Sequence, residues 1–184
     1  MPTGVIGVGY EDRSVTEFVL SLRAHGVHVL LDARQVPRCS RRGFSRHSLA
    51  EALRSVGIHY VHYEVLGNPD QNQAGFHGDA TAMAAAAARY RTRLAEPAAL
   101  AVLTDLIAVS RRRLVAVMTM EVDAERSHRA TLLAEIERRA ENRPADIDAV
   151  LAEFLEPAVS VAAEPVDTRT KVERDIDELL AEFS

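Results

Sequence analysis

The feature that most restricts the fold of this chain is a set of four short, predominantly apolar segments separated by helical patterns. They occupy residues 4–9, 27–32, 58–63 and 114–120. Strands with nearly continuous apolar sequence are typical of parallel sheets that are covered by helices on both faces. We therefore predict an α/β fold, a three-layer sandwich with a mostly parallel central sheet of about four strands.

The first two helices carry signals at both ends. Ser14 is followed by Glu17, and Ser48 by Glu51, at the spacing of a capping box. Glycines that end these helices follow at positions 26 and 57. We predict helices that start at both serines.

The second half of the predicted domain begins with residues 64–80, which are rich in Gly and Pro and predict a long loop. Alanine content predicts a helix over residues 81–95, and Pro97 suits the first turn of the next one. After the fourth strand, Asp123 or Ser127 caps a helix that continues to about residue 139.

The remaining residues indicate an extension. We assign residues 1–156, including a short helix at 146–155, to the α/β domain, residues 157–170 to a linker with two prolines, and residues 171–184 to an amphipathic C-terminal helix. Such a helix is marginal alone, so it docks on its own domain or joins a partner subunit in an oligomer. Its apolar residues at helical spacing are Val172, Ile176, Leu179, Leu180 and Phe183.

Composition excludes several classes of protein. Cys39 is the only cysteine among 184 residues, so neither a disulfide within the chain nor a multi-thiolate zinc site is possible. We expect no metal and no cofactor. No apolar run approaches the roughly 20 residues that span a bilayer, and the N-terminus enters a strand directly. We therefore expect a cytoplasmic protein with no membrane partner.

Polar residues follow the predicted strands. Tyr10 follows the first strand, Asp32 and Arg34 end the second, and Glu121 follows the fourth. The carboxyl ends of parallel strands lie at one edge of a sheet, where open α/β sheets bind ligands. We expect these side chains to lie along one edge.

A cationic loop follows the second strand. Residues 34–46 contain five arginines and no acid, in a protein of net charge −5. Arg34, Arg41 and Arg42 are candidate ligands for an anion, and the alternative is a solvated surface. Asp32 and Arg34 either belong to this site or form a structural ion pair.

The segment Ser127-His128-Arg129 is a second candidate anion site. Backbone N–H groups and the helix dipole at a helix N-terminus attract anions, and Arg129 would bind phosphate or carboxylate with two hydrogen bonds. His128 is the candidate proton carrier, because its ordinary pKa lies near neutrality. Glu121 either orients His128 or serves as the base. The alternatives are that Glu121 caps a helix and that His128 and Arg129 point outward.

Together these residues resemble a prokaryotic family of small α/β proteins known as domain-of-unknown-function family 488. The resemblance runs from about residue 5 to about residue 135. It rests on Gly9-Tyr10-x-x-Arg13-Ser14, Asp32-x-Arg34-x-x-Pro37, Ser40-Arg41-Arg42 with Phe44, Gly57-Ile-x-Tyr60-x-His62, Leu66-Gly67, Phe76, Tyr90, Leu94, and Glu121 with Ser127-His128-Arg129. The resemblance implies a fold and a site, with no established reaction.

The last motif of that family usually reads Cys-x-Glu, five residues, Cys-His-Arg. Thr119 and Ser127 stand at its two cysteine positions here. Chemistry that needs those thiols is therefore not carried over, whereas anion binding and proton transfer by Glu121, His128 and Arg129 are.

Three functions are compatible with the sequence. The first is an enzyme that acts on a phosphate-bearing nucleotide or nucleoside by acid-base chemistry, with an anionic small molecule as partner. The second is a module that binds or processes nucleic acid, with Phe44 or Tyr10 stacked on a base. The third is a regulatory protein that joins a partner through its C-terminal helix.

Overall fold

A computed structural model describes residues 2–37 and 41–142. Cys39 and the predicted linker and C-terminal helix lie outside the described residues, as does the boundary at residue 156. The elements are β1 Gly4–Gly9, α1 Val15–Ala24, β2 Val29–Asp32, α2 Arg46–Arg54, β3 His59–His62, a 3-10 turn Glu64–Leu66, α3 Asp70–Phe76, α4 Ala80–Leu94, α5 Pro97–Ser110, β4 Leu114–Thr119 and α6 His128–Asn142.

The sheet has four parallel strands in the order β1-β4-β2-β3. Every residue of β2 and β4 is buried, because helices cover both faces of the two central strands. Alternate residues of β2 separate between the faces: Leu30 packs against α1 and α2, and Leu31 packs on the opposite side. The predicted three-layer α/β sandwich is confirmed.

The connections divide the helices between the two faces. Helices α1 and α2 cover one face, whereas α4, α5 and α6 cover the other. The chain therefore leaves β1 and β2 toward one face and leaves β4, which lies between them, toward the other. Such a reversal opens a crevice at the carboxyl ends of the strands.

Two predictions about helices need correction. Residues 64–80 contain the 3-10 turn and α3, where we predicted a loop. Helix α2 starts at Arg46 and is capped by Ser45, whose Oγ accepts from the N–H of Ser48, so Ser48 is inside the helix. The capping box of Ser14 and Glu17 is present as predicted.

The backbone at the end of β1 lies very close to the backbone that follows β4. A Cβ atom on Gly9 would lie 2.0 Å from the carbonyl oxygen of Glu121. Only glycine leaves room for the chain after β4 to cross the end of β1 at this distance. Gly9 therefore sets the position of Glu121.

No helix within residues 2–37 and 41–142 has both the length and the apolar character needed to cross a bilayer.

Candidate functional site

A buried ion pair closes the carboxyl end of β2. Asp32 is fully buried and accepts two hydrogen bonds from the Arg34 guanidinium, Nε–Oδ1 at 2.8 Å and Nη2–Oδ2 at 2.5 Å. The Tyr60 hydroxyl donates to Asp32 Oδ2 at 2.6 Å. Burial, reinforced by the Asp32 charge, raises the pKa of Tyr60, which keeps this donor protonated. The structural ion pair, one of the two interpretations above, is present.

The same guanidinium, that of Arg34, also bonds to the cationic loop. Arg34 Nη1 donates to the Tyr10 hydroxyl at 3.1 Å and to the Phe44 carbonyl at 2.9 Å. The rings of Tyr10 and Phe44 are buried and stacked, with centroids 4.2 Å apart. Neither ring is therefore available to stack on a base, contrary to the nucleic-acid hypothesis.

The other two arginines of the cationic loop that were predicted to bind an anion, Arg41 and Arg42, are exposed. Arg41 Nη1 donates to the Tyr10 carbonyl at 2.9 Å, which places this guanidinium beside the end of β1. Arg42 is exposed on the same loop.

Arg129 points into the protein. Its Nη1 donates to Val8 O at 2.8 Å, Thr119 Oγ1 at 2.7 Å and Glu121 O at 2.7 Å, and its Nη2 donates to Val122 O at 2.9 Å. Burial lowers its pKa, against the opposing effect of the Glu121 and Asp123 charges. Arg129 joins β1 to the segment after β4 through Nη1 and Nη2, whereas its buried Nε has no hydrogen-bond partner among the described residues.

Ser127 caps α6. Its Oγ accepts from the N–H of Arg129 at 3.1 Å and lies 3.2 Å from the hydroxyl of Thr119. Of the two caps considered from the sequence, Ser127 is the one beside the helix start. Because Ser127 is buried and bonded in this way, it does not present its hydroxyl to a ligand.

His128 is 3% exposed and lies between the sheet and α4. Its Nε2 is 2.8 Å from the carbonyl oxygen of Ala33, which can only accept, so Nε2 carries the proton and Nδ1 is an acceptor. Burial, with a smaller contribution from Arg129, lowers its pKa to about 4 against the opposing effect of the Ala33 bond. His128 is therefore neutral near pH 7, whereas the sequence suggested a proton carrier.

A cleft of about 300 Å³ opens at the carboxyl ends of β1, β2 and β4. Four of the predicted residues line it, namely Tyr10, Arg34, Glu121 and His128. The other predicted residues do not: Asp32, Arg41, Arg42, Ser127 and Arg129. The described residues that line it are Tyr10, Arg34, Gln35, Val36, Asn68, Asp70, Gln73, Thr119, Met120, Glu121 and His128.

Sequence reasoning missed one wall of the cleft. Asn68, Asp70 and Gln73 come from the segment predicted as a loop, and Asn68 donates to the Gln73 side chain at 2.7 Å. Pro69 followed by Asp70 is a helix-start signal that would have indicated α3.

Comparison with known proteins identifies the family of the chain. The model of the family described as domain of unknown function DUF488 matches residues 14–136, more than half of the chain. The chain belongs to the DUF488 family. The match extends from the capping box of α1 into α6 and includes most of the cleft lining. No curated protein and no solved structure matches the chain.

Among its described lining residues, the DUF488 cleft has few charged groups that lack an opposite charge. Arg34 faces Asp32, and His128 is neutral, which leaves the carboxylates of Glu121 and Asp70 in the lining. No group of three or more His, Cys, Asp or Glu side chains in the described parts of this DUF488 protein could hold a metal ion.

Removing one partner of the buried pair should destabilise this DUF488 protein strongly. We expect Asp32→Asn to lower the free energy of unfolding by about 3–5 kcal/mol, because Arg34 would be left buried without its counter-charge. Asp123→Asn is the matched control, since Asp123 is exposed and lies 3.9 Å from Arg126. We expect this control to cost less than about 1 kcal/mol in urea denaturation. Equal losses for the two variants would contradict a structural role for the pair.

The neutral state of His128 should make stability depend on pH. Its folded pKa of about 4 lies below the ordinary 6.5, so the unfolded chain takes up the proton first as the pH falls. The contribution of neutral His128 to the free energy of unfolding is fully present above pH 6.5 and is lost progressively between pH 6.5 and 4. In this range His128 changes the free energy of unfolding by up to about 1.4 kcal/mol per pH unit.

His128→Gln keeps an N–H donor for Ala33 and does not titrate. We expect its free energy of unfolding to fall less steeply than that of the wild type between pH 6.5 and 4. Burial also lowers the pKa of His28 and His59, but these residues contribute equally to both proteins. Parallel pH profiles for the two proteins would show that His128 is not held neutral.

Proposed function

We propose that this DUF488 protein is an enzyme that binds a nucleotide or nucleoside-type molecule in the cleft and transforms it by acid-base chemistry. The observation that carries the proposal is the meeting of Glu121, His128, Tyr10 and Arg34 in one cleft at the reversal of the sheet. The cleft volume of about 300 Å³ is at the lower end of the range for small-molecule sites.

Glu121 is the acid-base group in this proposal. It is 6% exposed and lines the cleft, and its backbone carbonyl accepts from Arg129 at 2.7 Å. Arg129 and the close approach of Gly9 thus hold the backbone that carries the carboxylate. His128 is neutral and bonds to the Ala33 carbonyl through Nε2, a different role from the one first expected.

Arg41 and Arg42 are the candidates for the phosphate of a nucleotide. Arg41 is bonded to the carbonyl of Tyr10, a residue of the cleft lining, and both guanidinium groups reach solvent. A nucleotide with its base and sugar in the cleft would direct its phosphate toward these arginines. Asp32, Arg34, Ser127 and Arg129 support the cleft walls in this arrangement.

Nucleic-acid binding is the second candidate, and the exposed Arg41, Arg42 and Arg46 favour it. With Tyr10 and Phe44 buried, it would depend on phosphate contacts and decline steeply with salt. Absence of binding to single-stranded DNA or RNA at about 50 mM salt would remove this candidate. The regulatory hypothesis concerns the C-terminal segment, which lies outside the described residues.

A panel of nucleosides and nucleotides tests the first candidate. We expect at least one member to raise the thermal midpoint of the wild type and to be converted, as followed by mass spectrometry of the small molecules. Glu121→Gln should lower the conversion rate by about 100-fold to 10,000-fold, the usual effect of losing a general acid or base.

Glu137→Gln, which makes the same change on an exposed position of α6, is the control and should behave as the wild type. Failure of every member to stabilise the wild type would contradict binding in the cleft. Conversion by Glu121→Gln at the wild-type rate would contradict the role of Glu121.

A further inference from the structure

A second pocket, of about 260 Å³, lies between α4 and the start of α3. Two arginines line it, Arg89 and Arg93, which are one turn apart on α4 and therefore lie on the same face of that helix. None of the described lining residues is a carboxylate, so this lining is cationic. Those residues are Pro69, Gln71, Asn72, Arg89, Tyr90 and Arg93.

A chain of amide side chains orients Arg89. Its Nε donates to Oδ1 of Asn72 at 2.8 Å, and Asn72 is 7% exposed. The Nδ2 of Asn72 in turn donates to Oδ1 of Asn68 at 2.9 Å and to the Ala86 carbonyl at 3.0 Å. Because Asn72 is buried and held by these bonds, it fixes the Arg89 guanidinium through Nε.

Backbone carbonyls orient Arg93 in a similar way. Its Nε donates to the carbonyl of Gly67 at 3.0 Å, and its Nη2 donates to the carbonyl of Glu64 at 3.3 Å. Both carbonyls belong to the 3-10 turn and the residue that ends it. Neither Arg89 nor Arg93 forms an ion pair with a described carboxylate.

This arrangement suits an anion. Like charges one turn apart on a helix repel each other, and an anion that contacts both guanidinium groups offsets the repulsion. Arginine binds phosphate oxygens through pairs of parallel N–H bonds. Ordering long side chains opposes binding, but the Nε bonds already restrict Arg89 and Arg93 in the free protein.

We propose that Arg89 and Arg93 form a binding site for a phosphate group, separate from the candidate cleft. The volume of about 260 Å³ is below the range of about 300–1,000 Å³ for small-molecule sites, which favours a single phosphate group over a larger ligand. The inference does not depend on the proposed function, because neither Arg89 nor Arg93 lines the cleft.

Titration of inorganic phosphate into the full chain at constant ionic strength tests the site. We expect the 1H–15N correlations of the Arg89 and Arg93 Nε–H groups to shift along a saturable curve. Arg89→Gln and Arg93→Gln should each weaken phosphate binding about tenfold or more, because each removes a charged hydrogen-bond donor. Backbone amide spectra of the variants check that they are folded.

Arg91→Gln is the matched control, because it removes the same charge from the same helix. Arg91 is exposed and lines a different pocket, between α4 and α6. We expect this variant to bind phosphate as the wild type does. Equal weakening in Arg89→Gln, Arg93→Gln and Arg91→Gln would show attraction to the overall charge of α4 and would overturn the proposal.

Two further results would also overturn it. One is the absence of saturable phosphate binding to the wild type in the millimolar range. The other is loss of binding in Arg42→Gln with Arg89→Gln unchanged, which would place the phosphate at the cationic loop. A parallel titration with methyl phosphate distinguishes the source of the group: tighter binding than inorganic phosphate assigns a phosphate ester to the site, and weaker binding assigns the free ion.

Discussion

The buried pair of Asp32 and Arg34 holds the carboxyl edge of the sheet together. Asp32 ends β2, Tyr60 of β3 donates to it, and Arg34 reaches Tyr10 after β1 and the carbonyl of Phe44. The pair thus connects β2, β3, the residue that follows β1 and the cationic loop through one set of charged hydrogen bonds. Charged pairs in the interior are stable only when such additional bonds satisfy both partners.

A second guanidinium, that of Arg129, joins the end of β1 to the chain that follows β4. Arg129 bonds to oxygens of Val8, Thr119, Glu121 and Val122 and so fixes the chain after β4 against β1. The consequence for function is electrostatic. Because Arg34 and Arg129 are bonded within the protein, the described residues that line the cleft include two carboxylates, Glu121 and Asp70, and no cation that lacks a carboxylate partner.

The strands and the position of the cleft could be predicted from the sequence. Continuous apolar runs identify buried parallel strands, and the residues that follow them must lie at one edge, so Tyr10, Arg34, Glu121 and His128 were found together. The direction of each arginine could not be predicted. Arg129 binds Val8, 121 residues away, and such a contact leaves no local pattern.

Other errors have local causes. Helix α3 was missed because Gly and Pro in residues 64–80 outweighed the start signal of Pro69 and Asp70. Ser48 and Glu51 have the spacing of a capping box. The helix nevertheless starts earlier, because the Oγ of Ser45 accepts from the N–H of Ser48 and caps it there. The low pKa of His128 depends on burial against Tyr90, whose ring centroid is 5.1 Å away, and burial of this kind is a property of the fold.

The buried environment of His128 requires a neutral ring whose Nε2 donates to the carbonyl of Ala33. Long-range 1H–15N NMR correlation of the imidazole at about pH 5.5, between the folded pKa of about 4 and the ordinary 6.5, tests it most directly. We predict a neutral ring with the proton on Nε2 and an unprotonated Nδ1. An imidazolium at this pH, or a proton on Nδ1, would contradict it.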